Sequence, residues 1–177
     1  EVLVSSLNHE GAGIASVNGK KTFIQGALPN ERVMFSRLCQ HSRYDEGKVL
    51  EVLEASPERV KPSCNHFLQC GGCALQHMSP VMQMQTKLEA VTDHLQHFGG
   101  IVMPCFEPPI YATKTYGYRM KARLGVRYVA KKRRVLIGFR ERNGRYLTDM
   151  HACEVLHPSI GHKLDDLSDL IGHMDGY

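Results

Sequence analysis

The chain has 177 residues, 42% of them hydrophobic and 23% charged, which suits one or two folded domains and excludes a disordered protein. No apolar run reaches the length of a membrane span and the start does not resemble a signal peptide, so we expect a cytoplasmic protein that does not bind membranes. The net charge is only +4, but half of the 22 Lys and Arg residues lie between Arg119 and Arg145, where Glu141 is the only acid.

Residues 1–54 contain five short runs of β-forming residues that are separated by turn signals. Asn18-Gly19 predicts a tight hairpin between the second and third runs, and Leu28-Pro29-Asn30 predicts a turn before the fourth. The runs are Val2–Val4, Gly13–Val17, Lys20–Ile24, Arg32–Leu38 and Lys48–Leu53. Five strands in about fifty residues predict a small OB-like barrel, and a barrel without any ligand is the alternative.

A Gly/Cys-rich loop and then a helix follow the predicted barrel. Ser79 is a suitable N-cap, Pro80 suits the first helical position, and Gly99-Gly100 is a typical helix end. Apolar residues recur at steps of three and four, which predicts one apolar face. These residues are Met84, Leu88, Val91, Leu95 and Phe98, and we interpret the methionines of this helix as packing residues.

From residue 117 onward the apolar period changes to two, which predicts a β-strand. Cationic and apolar side chains alternate, so one face of the strand carries charge and the other faces a core. The cations are Arg119, Lys121, Arg123 and Arg127, and the apolar residues are Met120, Ala122, Leu124, Val126 and Tyr128.

The rest of the chain continues as an antiparallel β-meander. Lys131–Arg134 predicts a turn, Val135–Phe139 the returning strand, and Asn143-Gly144 a second hairpin that leads into Leu147–Met150. After Pro158 a short helix is predicted around Leu164, Leu167 and Leu170. The predicted fold is therefore mainly β with some α, divided into an OB-like barrel at 1–55, a cysteine-rich loop at 56–78, an amphipathic helix at 79–100 and a basic β-domain at 101–177.

The cysteines form the sharpest pattern in the sequence. Cys64, Cys70 and Cys73 lie within ten residues, with two glycines whose N–H groups can approach sulfur, and Cys153 follows about eighty residues later at the end of a predicted strand. Without an export signal, such thiols indicate a metal site and not disulfides. Four thiolates suit a 4Fe-4S cluster or a zinc ion; three ligands in one loop favour the cluster, while zinc and unligated thiols stay open as alternatives.

The other two cysteines and two nearby histidines are weaker candidates for a functional role. Cys39 ends a strand pattern and is predicted to be a small core residue. Cys105 has no identifiable base near it in sequence, so we do not interpret it as a nucleophile. His66 and His77 flank the cysteine loop and are alternative zinc ligands, although hydrogen-bonding or solvent-facing roles fit them better.

Three segments together resemble one protein family. Cys64-Asn-His-Phe-Leu-Gln-Cys70-Gly-Gly-Cys73-Ala-Leu-Gln76-His77 is similar to the cluster signature of the bacterial RNA (uracil-5-)-methyltransferases, in particular the 23S rRNA enzymes of the RumA/RlmD type. Gly26-Ala-Leu-Pro-Asn-Glu-Arg-Val33 resembles a hallmark of their TRAM domain, with Asn30 where Gly is usual. Gly117-Tyr118-Arg119, Ala122-Arg123 and Ile137-Gly138-Phe139-Arg140 resemble their central β-domain.

The resemblance implies that Cys64, Cys70, Cys73 and Cys153 hold a 4Fe-4S cluster with a structural or RNA-folding role, which aerobic handling can remove. It also implies a separate catalytic domain that binds S-adenosylmethionine and supplies a cysteine nucleophile to the uracil. This sequence has no Gly-x-Gly loop after a strand for that cofactor and no family Cys-Asn-Pro motif at Cys105. We therefore expect an N-terminal piece without catalytic or S-adenosylmethionine-binding residues, inactive alone. Its helix lacks its family partner, so we expect either self-association or a rearranged helix.

Ribosomal RNA is the partner that the resemblance implies. Cationic side chains of the basic β-domain would contact phosphates, and Tyr118, Tyr128 and Phe139 are candidates for stacking on bases, with a core role as the alternative for the last two. The predicted RNA-binding residues are Tyr118, Arg119, Lys121, Arg123, Arg127, Lys131, Lys132, Arg133, Arg134 and Arg140. Alternative functions are a zinc-binding nucleic-acid module without enzymatic activity, a radical enzyme with a TRAM domain, and an electron-transfer ferredoxin.

Overall fold

The computed structural model describes residues 1–102, 105 and 107–174. The chain forms two compact units. The barrel unit comprises Glu1–Lys61 and Leu75–Ile110, and the cysteine unit comprises Pro62–Ala74 and Tyr111–Tyr177. In sequence the two units are interleaved, because the chain leaves the barrel unit for the cysteine loop, returns to it for the helix, and leaves it again.

Six strands form the sheet of the barrel unit, in the order β1-β5-β6-β4-β3-β2. They are β1 (Val2–Leu3), β2 (Ser6–Leu7), β3 (Gly13–Val17), β4 (Lys20–Gln25), β5 (Arg32–Gln40) and β6 (Tyr44–Glu54). Between β1 and β2, the Val4 N–H donates to the Glu31 carbonyl and the Ser5 N–H to the Ile14 carbonyl. The first predicted strand thus corresponds to β1, whereas β2 was not predicted; the two short strands pair with opposite edges of the sheet, and this closes the barrel.

The OB-like barrel predicted from the sequence is confirmed. All ladders are antiparallel except β4–β6, which is parallel, as the OB topology requires. The hairpin at Asn18-Gly19 is also present, and both residues have positive φ, 51° and 79°. Side chains that point inward form a small core of Val4, Ala15, Ile24, Ala27 and Val33.

A buried ion pair between Glu31 and Arg59 is a second feature of the barrel unit. The Glu31 carboxylate is fully buried, accepts from the Leu28 N–H (2.8 Å) and the Ser56 N–H (3.2 Å), and binds the Arg59 guanidinium through Nε at 2.5 Å. Burial raises the pKa of Glu31, but the hydrogen bonds and charge of Arg59, with the two backbone donors, lower the pKa to a net value below the usual 4.5. Asn30, the residue before Glu31, has φ 64°, a left-handed conformation that Asn tolerates.

Acid should weaken this ion pair. Because the pKa of Glu31 is lower in the folded state than in the unfolded chain, its stabilisation is complete above the unfolded pKa near 4.5 and is lost as the pH falls through the folded pKa. We expect the thermal unfolding temperature to fall more steeply below pH 4.5 in the wild type than in Glu31→Gln. Parallel pH profiles for the two proteins would contradict this expectation.

The predicted helix is present as α1, Pro80–Gly99. The Ser79 side chain accepts from the Met82 N–H, and Gly100 ends the helix in the left-handed conformation with φ 62°. No α1 residue is buried, and Phe98 of the predicted apolar face is 86% exposed. A different line of side chains, Met82, Thr86, Ala90 and His94, lines a groove with residues 5–11 of the barrel unit. The apolar periodicity therefore predicted the helix, but not the side of it that faces the barrel residues.

The cysteine unit contains one β-hairpin and two short helices. Strands β7 (Gly125–Val129) and β8 (Arg134–Gly138) are antiparallel and are joined by the 3-10 turn Ala130–Lys132. Helices α2 (Pro158–Gly161) and α3 (Leu164–Gly172) follow, and the Ser168 hydroxyl of α3 donates to the Val135 carbonyl at 2.5 Å. The core of the unit includes Val135, Ile137, Met150, Val155, Leu156 and Leu164.

Several expectations about this unit are wrong. The alternating strand predicted from Arg119 begins only at Gly125, and Met120 on its predicted inner face is 79% exposed. The meander reduces to the β7–β8 hairpin with a single bridge from Arg140 to Leu147, so Cys153 lies in a loop and not at a strand end. In the barrel unit, Cys39 is exposed, since its strand extends past the core. An alternating pattern alone does not supply the partner strand that such a sheet needs.

Candidate functional site: the cysteine centre and its basic surroundings

The cysteine loop is held by backbone hydrogen bonds to the segment that follows β8. The Gly71 N–H donates to the Arg140 carbonyl (2.9 Å), and the Arg142 N–H donates to the Gln69 carbonyl (2.8 Å). The Arg142 guanidinium also donates to the Cys73 carbonyl at 2.5 Å. Within the loop, the Gly72 N–H points at the Cys70 sulfur, 3.3 Å away. The loop therefore has a fixed path, with one backbone donor already directed at a thiol.

The fourth thiol, Cys153, lies in a loop that is tied to α2. Its backbone N–H donates to the Gly161 carbonyl at 2.8 Å. A side chain at Gly161 would lie 2.4 Å from the Cys153 carbonyl oxygen, so only glycine fits there. The Cys153 side chain is buried in the same core cluster as Cys70, with Cys73 packed against that cluster.

The four predicted thiols are close enough to influence one another electrostatically. Burial raises the pKa of Cys64, the His66 backbone N–H lowers it, and negative charge on Cys153, Cys73 or Cys70 raises it further. Burial likewise raises the pKa of Cys70. The Gly72 N–H and the Thr148 hydroxyl lower this pKa, whereas negative charge on Cys73 or Cys153 raises it further. The protonated forms of Cys64 and Cys70 are thus favoured, and a bound cation that replaces their protons would remove this preference.

The spacing of these thiols is not that of a mononuclear site. Among the residues that the structure describes, no group of three or more His, Cys, Asp or Glu side chains is arranged to hold a metal ion. Sulfurs around one zinc ion lie about 3.8 Å apart, given Zn–S bonds of about 2.3 Å in tetrahedral geometry. The structure therefore brings the four thiols into one neighbourhood without giving them that geometry.

Three supporting residues were missed from the sequence. Thr148 is fully buried beside Cys70, Arg142 fixes the Cys73 carbonyl, and Gly161 makes room for the Cys153 backbone. Nothing in the local sequence distinguishes them, because each acts on a cysteine that is distant along the chain. The two histidines that were considered as alternative ligands are divided between the units, His66 in the cysteine unit and His77 in the barrel unit.

Of the predicted phosphate contacts, some are already paired within the protein. Lys132 binds Asp149 at 2.5 Å, and Arg134 binds the same carboxylate and approaches Asp165 at 3.7 Å. Burial raises the pKa of Asp149, but hydrogen bonds and charge from Lys132 and Arg134 lower the pKa below its usual value. These two cations are therefore paired with an acid within the protein, and the prediction that they contact RNA phosphates stays a prediction.

Arg119 is half-buried and not a freely projecting cation. Its backbone pairs with the segment around Leu156, and its guanidinium lies 5.8 Å from the centre of the Phe139 ring. Phe139 itself packs on the core, while Tyr118 and Tyr128 are about half exposed. The remaining predicted cations are exposed and have no ion pair in the described part of the chain: Lys121, Arg123, Arg127, Lys131, Arg133 and Arg140.

Comparison with known proteins finds sequences that are similar to this chain over nearly its whole length. Residues 1–34 match the TRAM domain family. The chain is 49% identical to the 23S rRNA (uracil(1939)-C(5))-methyltransferase RlmD of Nitrosococcus oceani, with 98% of the chain and 39% of the relative covered. Proteins of the same name from Alcanivorax borkumensis and Francisella tularensis subsp. novicida are each 46% identical, with 95% and 100% of the chain and 38% and 40% of the relatives covered. The chain thus spans about two-fifths of their length.

A solved structure shares the fold. The Pyrococcus abyssi tRNA (uracil-54, C5)-methyltransferase, determined in complex with S-adenosyl-L-homocysteine, superposes with a TM-score of 0.64 at 22% identity. The superposition covers 96% of this chain and 36% of that one. In the described part of the chain, no helix has both the length and the apolar character needed to cross a membrane.

Proposed function

We propose that this chain, which is similar to RlmD methyltransferases over nearly its whole length and matches the TRAM domain family at residues 1–34, is the RNA-binding, 4Fe-4S-binding N-terminal part of an S-adenosylmethionine-dependent rRNA uracil-C5 methyltransferase. In this proposal it acts in the cytoplasm and positions ribosomal RNA. The uracil and S-adenosylmethionine bind to a catalytic domain outside these 177 residues, and the chain alone transfers no methyl group.

One observation carries the cluster part of the proposal: Cys70 and Cys153 are buried in one core cluster with Cys73 packed against it, and Cys64 lies in the same folded unit. The donor set is all sulfur, which suits iron–sulfur clusters, and the Gly72 N–H directed at Cys70 is the type of hydrogen bond that stabilises cluster thiolates. The group would connect two distant segments of the chain and give the unit rigidity.

The RNA part of the proposal is supported by the charge of the cysteine unit. Six predicted cations are exposed and unpaired within the described residues, and each can neutralise one phosphate: Lys121, Arg123, Arg127, Lys131, Arg133 and Arg140. Tyr118 and Tyr128 add exposed rings that can stack on bases. We also propose that the exposed side of α1, which includes Val81, Val91 and Phe98, mediates self-association when the remainder of the parent protein is absent.

The cluster proposal predicts the outcome of a single substitution. After anaerobic reconstitution with iron and sulfide, we expect the wild-type chain to contain about four iron atoms and to absorb near 400 nm, roughly, as such clusters do. Cys153→Ser should lose most of this iron, because it removes the ligand that the loop cannot supply. Cys39→Ser is the matched control, since Cys39 is an exposed cysteine in the barrel unit, and it should retain wild-type iron.

Other outcomes of the same measurement are informative. Iron that is unchanged in Cys153→Ser would remove Cys153 from the centre. A colourless protein that binds one zinc ion per chain, and no iron after reconstitution, would favour the zinc-binding nucleic-acid module. Both readouts are independent of methyltransferase activity.

A further inference from the structure

Two side chains outside the thiol set, Phe139 and Arg119, lie against the cysteine loop. A Cβ atom at Gly72 would lie 3.2 Å from Cδ2 of Phe139 and 3.4 Å from the Cys70 sulfur, so the ring edge and the sulfur both lie beside the same glycine. The ring packs against the core cluster that contains Cys70 and Cys153. Arg119 lies over this ring, with Cζ 5.8 Å from the ring centre. We call Phe139 and Arg119 the ring cover.

The backbone fixes Phe139 relative to the cysteine loop. The Phe139 carbonyl accepts from the Thr148 N–H at 2.9 Å, and the Phe139 N–H points at the Met150 sulfur, 3.4 Å away. The carbonyl of the next residue, Arg140, accepts from the Gly71 N–H of the loop at 2.9 Å. The ring therefore starts from a backbone position that is bonded directly to the loop on which it lies.

The backbone of Arg119 belongs to a different part of the centre. Its N–H donates to the Val155 carbonyl at 3.0 Å, and its carbonyl accepts from the His157 N–H at 3.1 Å. Both partners follow Cys153 closely in sequence, so Arg119 is tied to the segment that carries the fourth thiol. Its guanidinium reaches the Phe139 ring. The ring cover thus joins the fourth-thiol segment to the three-thiol loop through side chains.

The two side chains of the ring cover have no other evident partner or chemistry. Phe139 has no atom that can bind a metal, and it is half-buried beside the thiols, where part of the ring faces solvent. Within the described residues, no carboxylate pairs with the Arg119 guanidinium, and the ring is the contact that the structure gives it. A cation over an aromatic face is attracted to it, so Arg119 holds the ring in place.

A half-buried ring at this position can control access to the sulfurs. The apolar shell around a metal site determines how easily solvent reaches it. The loop itself offers little cover beside Cys70, because Gly71 and Gly72 have no side chains. The Phe139 ring occupies the space next to Gly72 that a side chain of the loop would otherwise fill.

We propose that the ring cover limits the access of solvent and small solutes to the cysteine centre. Phe139 is the barrier, and Arg119 is a positioning residue that holds the ring against the loop. This role is separate from the predicted contact of Arg119 with RNA phosphate. The inference deepens the proposed cysteine centre and rests on it, but its first test needs only the thiols.

The first test measures thiol reactivity in the metal-free, reduced 177-residue chain. Iodoacetamide is added under native conditions, and mass spectrometry follows the alkylation of each cysteine. Alkylation of a buried thiol requires local opening, which loss of the ring favours, so Phe139→Ala should raise the Cys70 rate roughly tenfold. Arg119→Met keeps the length but not the charge and should raise the rate about threefold, as expected for one cation–π contact. Phe139→Tyr restores a ring and should stay within about twofold of the wild type.

Controls separate loss of the cover from general unfolding. Tyr146→Ala and Arg145→Met remove an exposed ring and an exposed cation of the same unit, and both should keep the wild-type rate. Exposed Cys39 of the barrel unit is the internal reference for the reagent. Loss of the cover should raise the rate of Cys70 relative to Cys153. Equal acceleration of these two buried thiols indicates unfolding of the unit and contradicts the inference.

The second test uses the chain after anaerobic reconstitution with iron and sulfide. The ferrous chelator bathophenanthroline is added under nitrogen, and the loss of absorbance near 400 nm, roughly, gives the rate of iron removal. Phe139→Leu keeps much of the apolar volume, so it remains informative where Phe139→Ala does not fold. It and Arg119→Met should each lose iron about threefold faster than the wild type, whereas Arg145→Met should match it.

The two tests distinguish failure of this inference from failure of the proposed function. If the wild-type chain takes up no iron, the cluster part of the proposed function fails, and the alkylation rates still decide whether the ring cover shields the thiols. If the wild-type chain takes up iron but the Phe139 and Arg119 variants match the Tyr146 and Arg145 controls in both rates, only this inference is overturned.

Discussion

Replacing Glu31 with Ala lowers the free energy of unfolding by about 3 kcal/mol, the lower end of the range for breaking a buried ion pair. The carboxylate is fully buried, and its loss leaves the N–H groups of Leu28 and Ser56 without their acceptor. Arg59 keeps 23% of its side-chain surface exposed, so water can solvate part of its charge and the cost stays below the upper limit. Urea unfolding followed by circular dichroism measures the difference.

Two further variants define the cause of this loss. Glu31→Gln keeps the size and one hydrogen-bonding oxygen but removes the charge, so it should lie between the wild type and Glu31→Ala. Glu51→Ala is the control, because Glu51 is an exposed acid of β6, and it should change the stability by less than about 0.5 kcal/mol. If Glu31→Ala lowers the free energy of unfolding by less than about 1 kcal/mol, the ion pair does not stabilise the barrel as proposed.

Gly161→Ala should disturb the cysteine centre from a position that is not a ligand. A Cβ atom would lie 2.4 Å from the Cys153 carbonyl oxygen and 3.1 Å from the Leu156 carbonyl oxygen, and both atoms are backbone, so the loop must move. We expect a loss of about 2–3 kcal/mol in stability, in the range of overpacked cores. Iron bound after anaerobic reconstitution should fall as well, because the displaced segment carries the fourth thiol.

The control for this prediction is another helical glycine of the same unit. A Cβ atom at Gly172 would meet only Val135 Cγ2, at 3.8 Å, which is an ordinary contact. Gly172→Ala should therefore leave iron binding unchanged and keep or raise stability, since Ala is the better helix former. Wild-type stability and iron content in Gly161→Ala would contradict the close approach seen in the structure.

The barrel was predictable because its turns carry local signals. Asn18-Gly19 adopts the positive φ values that such a pair favours, and Ser79 and Gly100 cap α1 where the sequence placed its ends. The start of β6 was missed, because Asp45 and Gly47 are poor strand formers. Their places in the barrel depend on partners from other strands, Lys20 for Asp45 and Phe35 beside Gly47.

The cysteine unit was harder to predict for a physical reason. The alternation after Arg119 suggested a strand, but a strand needs a partner, and only residues from Gly125 onward find one in β8. Pairing of Lys132 and Arg134 with Asp149 spans more than a dozen residues and leaves no local trace. Spacing alone predicted the four cysteines as one group, whereas the buried Thr148 near Cys70 and the close approach at Gly161 carry no local signal.

The interleaving of the two units has a consequence for biosynthesis. The loop with Cys64, Cys70 and Cys73 leaves the ribosome about eighty residues before Cys153, a delay of about 4–16 s at about 5–20 residues per second. Throughout that interval, the three thiols of the loop are present without the segment that carries Cys153, while the barrel strands are already complete. Protection of these thiols from oxidants during that interval therefore cannot come from the fold of the cysteine unit.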